Sequence, residues 1–140
     1  MKTVSFRPIL KQDLNKVFSL LQQLTEIDYS KRNIEDCWHS FISNKSSNSL
    51  VSIYKDEIIA YGSIVIENKI RGEKAGHIED IVVNEVYRGK GVGEKLIKEL
   101  IKIGKDKGCY RITLLCNKSL EKFYLKNGFK HKEIAMKLYI

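Results

Sequence analysis

The chain is predicted to be an α/β protein, one domain over residues 1–140 with a mixed central sheet flanked by helices. Three observations predict it. Segments of strand and helix character alternate in the order β-α-α-β-β-β-α-β-α-β. A glycine-rich turn, Arg88-Gly89-Lys90-Gly91-Val92-Gly93, joins the apolar run Ile81-Val82-Val83 to an amphipathic helix. A length of 140 residues with 43% hydrophobic content suits a single core, and a chain of this size removes about two thirds of its extended surface from water.

Residues 3–7 alternate polar and apolar side chains up to Pro8 and predict a first strand. Leu10, Leu14, Val17, Phe18, Leu21 and Leu24 fall on one face of a helix. Asn33 is placed to cap a second, with Ile34, Cys37, Trp38, Phe41 and Ile42 at helical spacing. The polar run of residues 43–48 is a loop. Residues 49–54 and 58–66, rich in β-branched side chains and joined by Lys55-Asp56-Glu57, predict a hairpin. A basic loop over residues 69–76 leads to a strand at His77. After the glycine turn, Val92, Leu96, Leu100 and Ile103 form a helical stripe that Gly108 ends. Residues 109–115 predict a strand. Phe123 and Tyr124 sit on a short helix stopped by Asn127-Gly128, and a final strand is expected from there to residue 140.

A glycine-rich turn between strand and helix exposes successive backbone N–H groups at the positive end of the helix dipole, which makes an anion cradle. Missing side chains let the backbone approach a phosphate, and Arg88 and Lys90 add charge. The spacing fits neither the P-loop, which needs four residues between its glycines and then Lys-Ser/Thr, nor the dinucleotide fingerprint.

The turn Arg88-x-x-Gly91-x-Gly93 resembles the pyrophosphate loop of the GNAT acyltransferases, which bind acetyl-CoA. His77-Ile78-Glu79-Asp80-Ile81-Val82-Val83, Tyr87-Arg88-Gly89-Lys90-Gly91, Gly108-Cys109-Tyr110 and Phe123-Tyr124-Leu125-Lys126-Asn127-Gly128-Phe129 are similar to the glucosamine 6-phosphate N-acetyltransferases within that superfamily. The element order matches the GNAT layout. The likeness is strong over residues 76–129. Before residue 60 it is faint, and elsewhere it rests on Leu24-Thr25 and on Ile66-Glu67-Asn68-Lys69.

The resemblance implies direct acetyl transfer from acetyl-CoA to an amino-sugar phosphate, on the route to UDP-N-acetylglucosamine, by a dimer with shared sites. It implies that the strand Ile81-Val82-Val83 splays from its neighbour so that its backbone pairs with the pantetheine arm and polarises the acetyl carbonyl. The cradle is then Arg88, Gly89, Lys90, Gly91, Val92 and Gly93. Tyr124 would bond or protonate the CoA sulfur. A helix sets Phe123 and Tyr124 about 100° apart, so only one can face the core squarely, and a core aromatic is the other reading of Tyr124. Glu79 would accept the proton of the amine through water, with His77 as the alternative base. Strand alternation puts the carboxylates of Glu79 and Asp80 on opposite sides, with Asp80 touching sugar and donor. Thr25, Lys69, Arg71, Tyr110 and Arg111, with Lys74, would line the acceptor site, the cations meeting the sugar phosphate.

The chain also departs from that family. The acid expected before Cys116 is Leu115, the asparagine a few residues on is Leu120, and the C-terminal arginine that reaches a partner's site is Tyr139. The loop after Lys69 is about two residues short, with Arg71 near the place of its usual histidine. All these changes touch the acceptor side.

Composition limits the rival functions. The net charge of +8 suits anionic small molecules as well as nucleic acid, but no aromatic–basic interleaving of the kind that stacks single strands is present. Lys98, Lys102 and Lys105 read as an exposed helical face. Cys37, Cys109 and Cys116 are odd in number and lie in apolar segments, which predicts reduced core thiols and a cytoplasmic protein. His39, His77 and His131 form no ligand spacing with them, so no metal is expected. No stretch approaches the ~20 apolar residues of a membrane span, and the start, Met1 to Arg7, lacks a signal core. A GNAT enzyme acting on another small amine, a lysine or a protein N-terminus, and a non-catalytic CoA sensor, are the competing readings.

Overall fold

The computed structural model describes residues 3–140; Met1 and Lys2, part of the start considered above, lie outside the described residues. Strands β1 (Ser5–Pro8), β2 (Ser47–Tyr54), β3 (Glu57–Asn68), β4 (Lys74–Val83) and β5 (Cys109–Thr113) form one sheet in chain order. The first four run antiparallel to their neighbours, and β5 lies parallel to β4. The sheet is therefore mixed. Its helices are α1 (Leu14–Leu21), α2 (Ile34–Ser43), α3 (Val92–Asp106) and α4 (Glu121–Lys126).

Between β4 and β5 the 15-residue α3 makes the crossover that a parallel pair requires. Its buried stripe of Val92, Leu96, Ile97 and Leu100 packs on Ile59, Ala60, Ile64, Ile66 and Ile78 of the sheet. On the opposite face Val17 and Leu20 of α1 meet Val51, Tyr61 and Val82. Covered on both sides, β3 is buried without interruption from Ile59 to Ile64.

Several predicted boundaries move. Helix α1 starts at Leu14, because residues 11–13 form a 3₁₀ turn closed by Asp13, whose Oδ2 accepts from Leu10 N–H at 2.8 Å. Leu24 falls beyond the helix and is exposed. Asn33 caps α2 as expected, accepting from Asp36 N–H at 3.2 Å. The apolar stripe of α2, however, contains no buried residue. The hairpin turn is tight, with Lys55 and Asp56 both at positive φ. Strand β4 begins at Lys74, three residues before His77, and β5 stops at Thr113, short of residue 115.

The predicted final strand is absent. Residues 129–140 carry no regular structure, and Ile134, Met136 and Leu138 are 90%, 90% and 86% exposed. The alternation is real, but a strand exists only through a neighbouring backbone, and among the described residues the tail pairs with none.

Arg7 on β1 is joined to the start of α1 by a forked pair: its Nη1 and Nη2 donate to the two carboxylate oxygens of Asp13 at 2.6 and 2.9 Å. The guanidinium bonds hold the Asp13 carboxyl below its ordinary range, against the opposing effect of burial. A depressed carboxyl stabilises the fold above its unfolded pKa and loses that contribution as pH falls through its folded value. Asp13→Asn should therefore cost about 2 kcal/mol at neutral pH. The gap should close below about pH 4, as read by urea denaturation across pH.

Candidate active site

Strands β4 and β5 pair only between Lys74 and His77 on one side and Cys109 and Thr113 on the other. Beyond that point β4 runs on to Val83 without β5 beside it. The two strands thus form a fork with His77 and Thr113 at its base. Ile81, Val82 and Val83 lie along this stretch of β4, with Val82 paired to Tyr61 of β3 and the Val83 carbonyl accepting from Arg88 Nε. Their side chains are committed elsewhere, Ile81 and Val83 to the α3 core and Val82 to the α1 core.

A bulge bends β4 at the fork. Ser63 pairs with Glu79 and Tyr61 with Val82, so Gly62 stands opposite both Asp80 and Ile81. Asp80 takes the extra place with φ at +56°. A Cβ on Gly62 would sit 2.6 Å from Ile81 Cδ1, so a larger residue here would have to push the Ile81 side chain aside.

The bulge interrupts the alternation from which Glu79 and Asp80 were expected on opposite sides. Glu79 lies across from Ser63, whose hydroxyl shares the Ser49 hydroxyl with Tyr61 at 3.0 and 2.9 Å. The Asp80 charge helps raise the Tyr61 phenol, on which burial acts most strongly. Partial burial also pushes the Asp80 carboxyl above its ordinary range. One extra residue interrupts the strand period.

At the open end of the fork Asn84 starts a 3₁₀ turn, Glu85–Tyr87, and Gln23 at the end of α1 accepts from Glu85 N–H at 3.0 Å. Gly89 and Gly91 follow at φ +75° and +83°, and Gly91 is the N-cap of α3. Nothing stands within 4 Å of where a Cβ on either would lie. Their shape is set by backbone handedness, and the space beside them is open. The flanking cations are tied to the turn itself. Arg88 Nε donates to the Val83 carbonyl at 2.9 Å, and Lys90 Nζ lies 5.8 Å from the Tyr87 ring centroid. The first-turn amides of α3, from Val92 and Gly93 on, complete the concavity.

Tyr124 is buried on α4, its ring edge-on to Phe123 and Phe129 with centroids 4.9 and 5.8 Å away. Of the Phe-Tyr pair it is the one turned inward. Phe123 is partly buried and would meet a Cβ on Gly93 at 3.4 Å, so α4 lies beside the cradle. Burial raises the Tyr124 phenol, with a smaller contribution from Cys116, and keeps it protonated. The expectation of core thiols fails for Cys116, which is exposed because β5 has already ended. Cys37 and Cys109 are half-buried, and all three are free.

The basic residues of the predicted acceptor site gather elsewhere. Arg71 donates to Tyr110 OH at 3.0 Å, and the Arg71 and Arg111 guanidiniums lie 5.8 and 5.4 Å from its ring centroid. Arg71 is also paired with Glu73, and Lys69 with Glu67. Arg111 is level with Ala75, four residues before Glu79, about 13 Å back along the strand. Lys74, Thr25 and Leu115 are exposed, so the family's acid at Leu115 has an open apolar side chain in its place. The tail residue Tyr139 lies with the exposed tail.

His77, the alternative base, has two partners at the fork, Thr113 and Glu67, to which the sequence assigned no role. His77 Nδ1 is 2.8 Å from Thr113 Oγ1, and its Nε2 is 2.9 Å from Glu67 Oε1. The three come from three strands, and only sheet register brings them together. The His77 bond, then Lys69, holds the Glu67 carboxyl below its ordinary range.

Comparison with known proteins puts this geometry in context. Residues 14–129 match the model of the acetyltransferase (GNAT) family. Glucosamine 6-phosphate N-acetyltransferase 1 of Dictyostelium discoideum is 41% identical over 143 residues, covering 98% of this chain and 91% of its own. The Arabidopsis thaliana enzyme of the same name is 34% identical over 145 residues, covering 99% and 97%. The crystal structure of glucosamine-6-phosphate N-acetyltransferase from Arabidopsis thaliana superposes with a TM-score of 0.87 at 33% identity, over 99% of both chains.

Proposed function

The chain belongs to the acetyltransferase (GNAT) family, and from that premise we propose that it moves the acetyl group of acetyl-CoA to the amine of glucosamine 6-phosphate. The products are N-acetylglucosamine 6-phosphate and CoA. Relatives with that activity in their names match nearly the whole chain. The observation that carries the reading is the fork between β4 and β5, opening beside a glycine cradle on the N-terminus of α3.

The roles follow from what each position can do. Amides of residues 88–93 hold the diphosphate of the donor, an anion at a helix N-terminus. Peptide groups along Ile81, Val82 and Val83 pair with its pantetheine arm and polarise the acetyl carbonyl; one such donor is worth about 3 kcal/mol. Glu79 takes a proton from the ammonium form of the sugar through water, and Asp80 helps hold acceptor and donor. Tyr124 delivers a proton to the departing sulfur. Thr25 contributes to the acceptor site, and the phosphate is met by Lys69, Arg71 and Arg111 about Tyr110 once their side chains turn from Glu67, Glu73 and the Tyr110 ring toward the open end of the fork.

The enzyme works as one acetyltransferase domain in the cytoplasm, in amino-sugar metabolism leading to UDP-N-acetylglucosamine. It is a homodimer. The open edge of β5 and the exposed alternating tail Ile134, Met136, Leu138 support this, since each supplies what the other lacks.

CoA release measured against a panel of amines tests the reading. Glucosamine 6-phosphate should be turned over at least tenfold better than glucosamine or a lysine peptide, and equal rates would refute the acceptor. Tyr124→Phe should lower kcat roughly tenfold to a hundredfold with the acetyl-CoA dissociation constant nearly unchanged.

A further inference from the structure

The proposed reaction releases two protons from nitrogen. The ammonium must lose one before it can attack, and the tetrahedral adduct, N–C bond formed, carries a second N–H proton to be lost as the C–S bond breaks. Glu79 serves the first. We infer that the chain Thr113–His77–Glu67, at the base of the fork, takes the second; this rests on the acetyltransferase reading above.

With the imidazole neutral, the connectivity sets its direction. An ionised carboxylate only accepts hydrogen bonds, so His77 Nε2 carries the hydrogen that faces Glu67 Oε1 at 2.9 Å. His77 Nδ1 is then the lone-pair nitrogen, and at 2.8 Å it accepts from the Thr113 hydroxyl. Both ring nitrogens are thus engaged, and only Thr113 Oγ1 remains to receive a proton from substrate. Receptor, base and orienting carboxylate stand in the order seen when a hydroxyl is coupled to an imidazole. As the adduct collapses, its nitrogen gives a proton to Thr113 Oγ1, the Thr113 hydroxyl proton passes to His77 Nδ1, and Glu67 offsets the imidazolium charge. CoA sulfur leaves with the proton from Tyr124.

Placement supports the assignment. His77 and Thr113 are the last paired residues before the strands part, and Glu79 lies two residues further on the same face of β4. The charged groups around the imidazole are Glu67 with Lys69 behind it at 3.4 Å, Glu79 along β4, and Arg111 two residues back on β5. An imidazole held by a carboxylate also supplies a base where Leu115 offers none.

The test compares kcat, and its pH dependence, for acetyl transfer by the full chain and its variants. Thr113→Val keeps shape and strand preference but removes the hydroxyl. It should lower kcat roughly a hundredfold while the KM for acetyl-CoA holds, and Thr113→Ser should regain most of the rate. Glu67→Gln keeps a hydrogen-bond acceptor but removes the charge facing the imidazolium. The ascending limb of the kcat profile should then move to lower pH with a lower plateau, a change that loss of structure alone does not produce. Native kcat and profile in folded Thr113→Val, or an unmoved limb in Glu67→Gln, overturns the relay. If the native chain acetylates a different amine instead of glucosamine 6-phosphate, the acceptor assignment fails, while the same variants measured with that amine still decide the relay.

Discussion

Gly91→Val should bind acetyl-CoA roughly thirtyfold more weakly than the native chain, because a β-branched residue at positive φ costs about 2 kcal/mol and each 1.4 kcal/mol is tenfold. Gly91 sits at φ +83° as the N-cap of α3, and the space around it is open. The penalty is therefore one of backbone handedness, not of collision. To relieve it the turn must rotate its amides away from the concavity, and the valine methyls then occupy the approach to them. Isothermal calorimetry reads the affinity, and urea denaturation checks that the variant remains folded. Native affinity in the variant would show that these amides do not hold the donor.

Glu79→Gln should cut kcat/KM for the amino-sugar phosphate roughly a hundredfold near neutral pH, with acetyl-CoA binding unaffected. The glutamine preserves shape and removes the proton acceptor. Only sugar that reaches the site already unprotonated can then react, so the deficit should shrink as pH rises and solvent performs the deprotonation. A deficit that stays constant across pH assigns Glu79 to binding instead. Because Asp80 follows Glu79 directly on the bulge, it can partly take over, and Glu79→Gln with Asp80→Asn should lose more than either change alone. Kinetics across pH with the single and double variants separates these outcomes.

The cradle was legible because its cause is local. Gly89 and Gly91 meet their φ requirement within the turn itself, and the stripe of Val92, Leu96 and Leu100 needs only its own period to declare a helix. Asn33 was legible as a cap for the same reason. The parting of β4 from β5 came from family resemblance, since Ile81, Val82 and Val83 alone describe any buried strand.

Other features depended on residues far apart in the chain. Alternation put Glu79 and Asp80 on opposite faces, and a single bulged residue opposite Gly62 interrupts that alternation. Helix α2 has an apolar stripe that meets no core, and residues 129–140 have a strand pattern with no strand to join. Lys69, Arg71, Tyr110 and Arg111 do cluster, yet at the closed end of the fork.

By itself, then, the order of residues determined most of the elements, the Asn33 cap and the glycine turn, because these follow from φ, ψ and side-chain period within a few neighbours. Tertiary structure alone decided that Glu67, His77 and Thr113 touch, and that a bulge at Asp80 interrupts β4. The reason is register: one residue of slip between β3, β4 and β5 sends every side chain to the other side of the sheet, and register is set by the sum of packing on both faces.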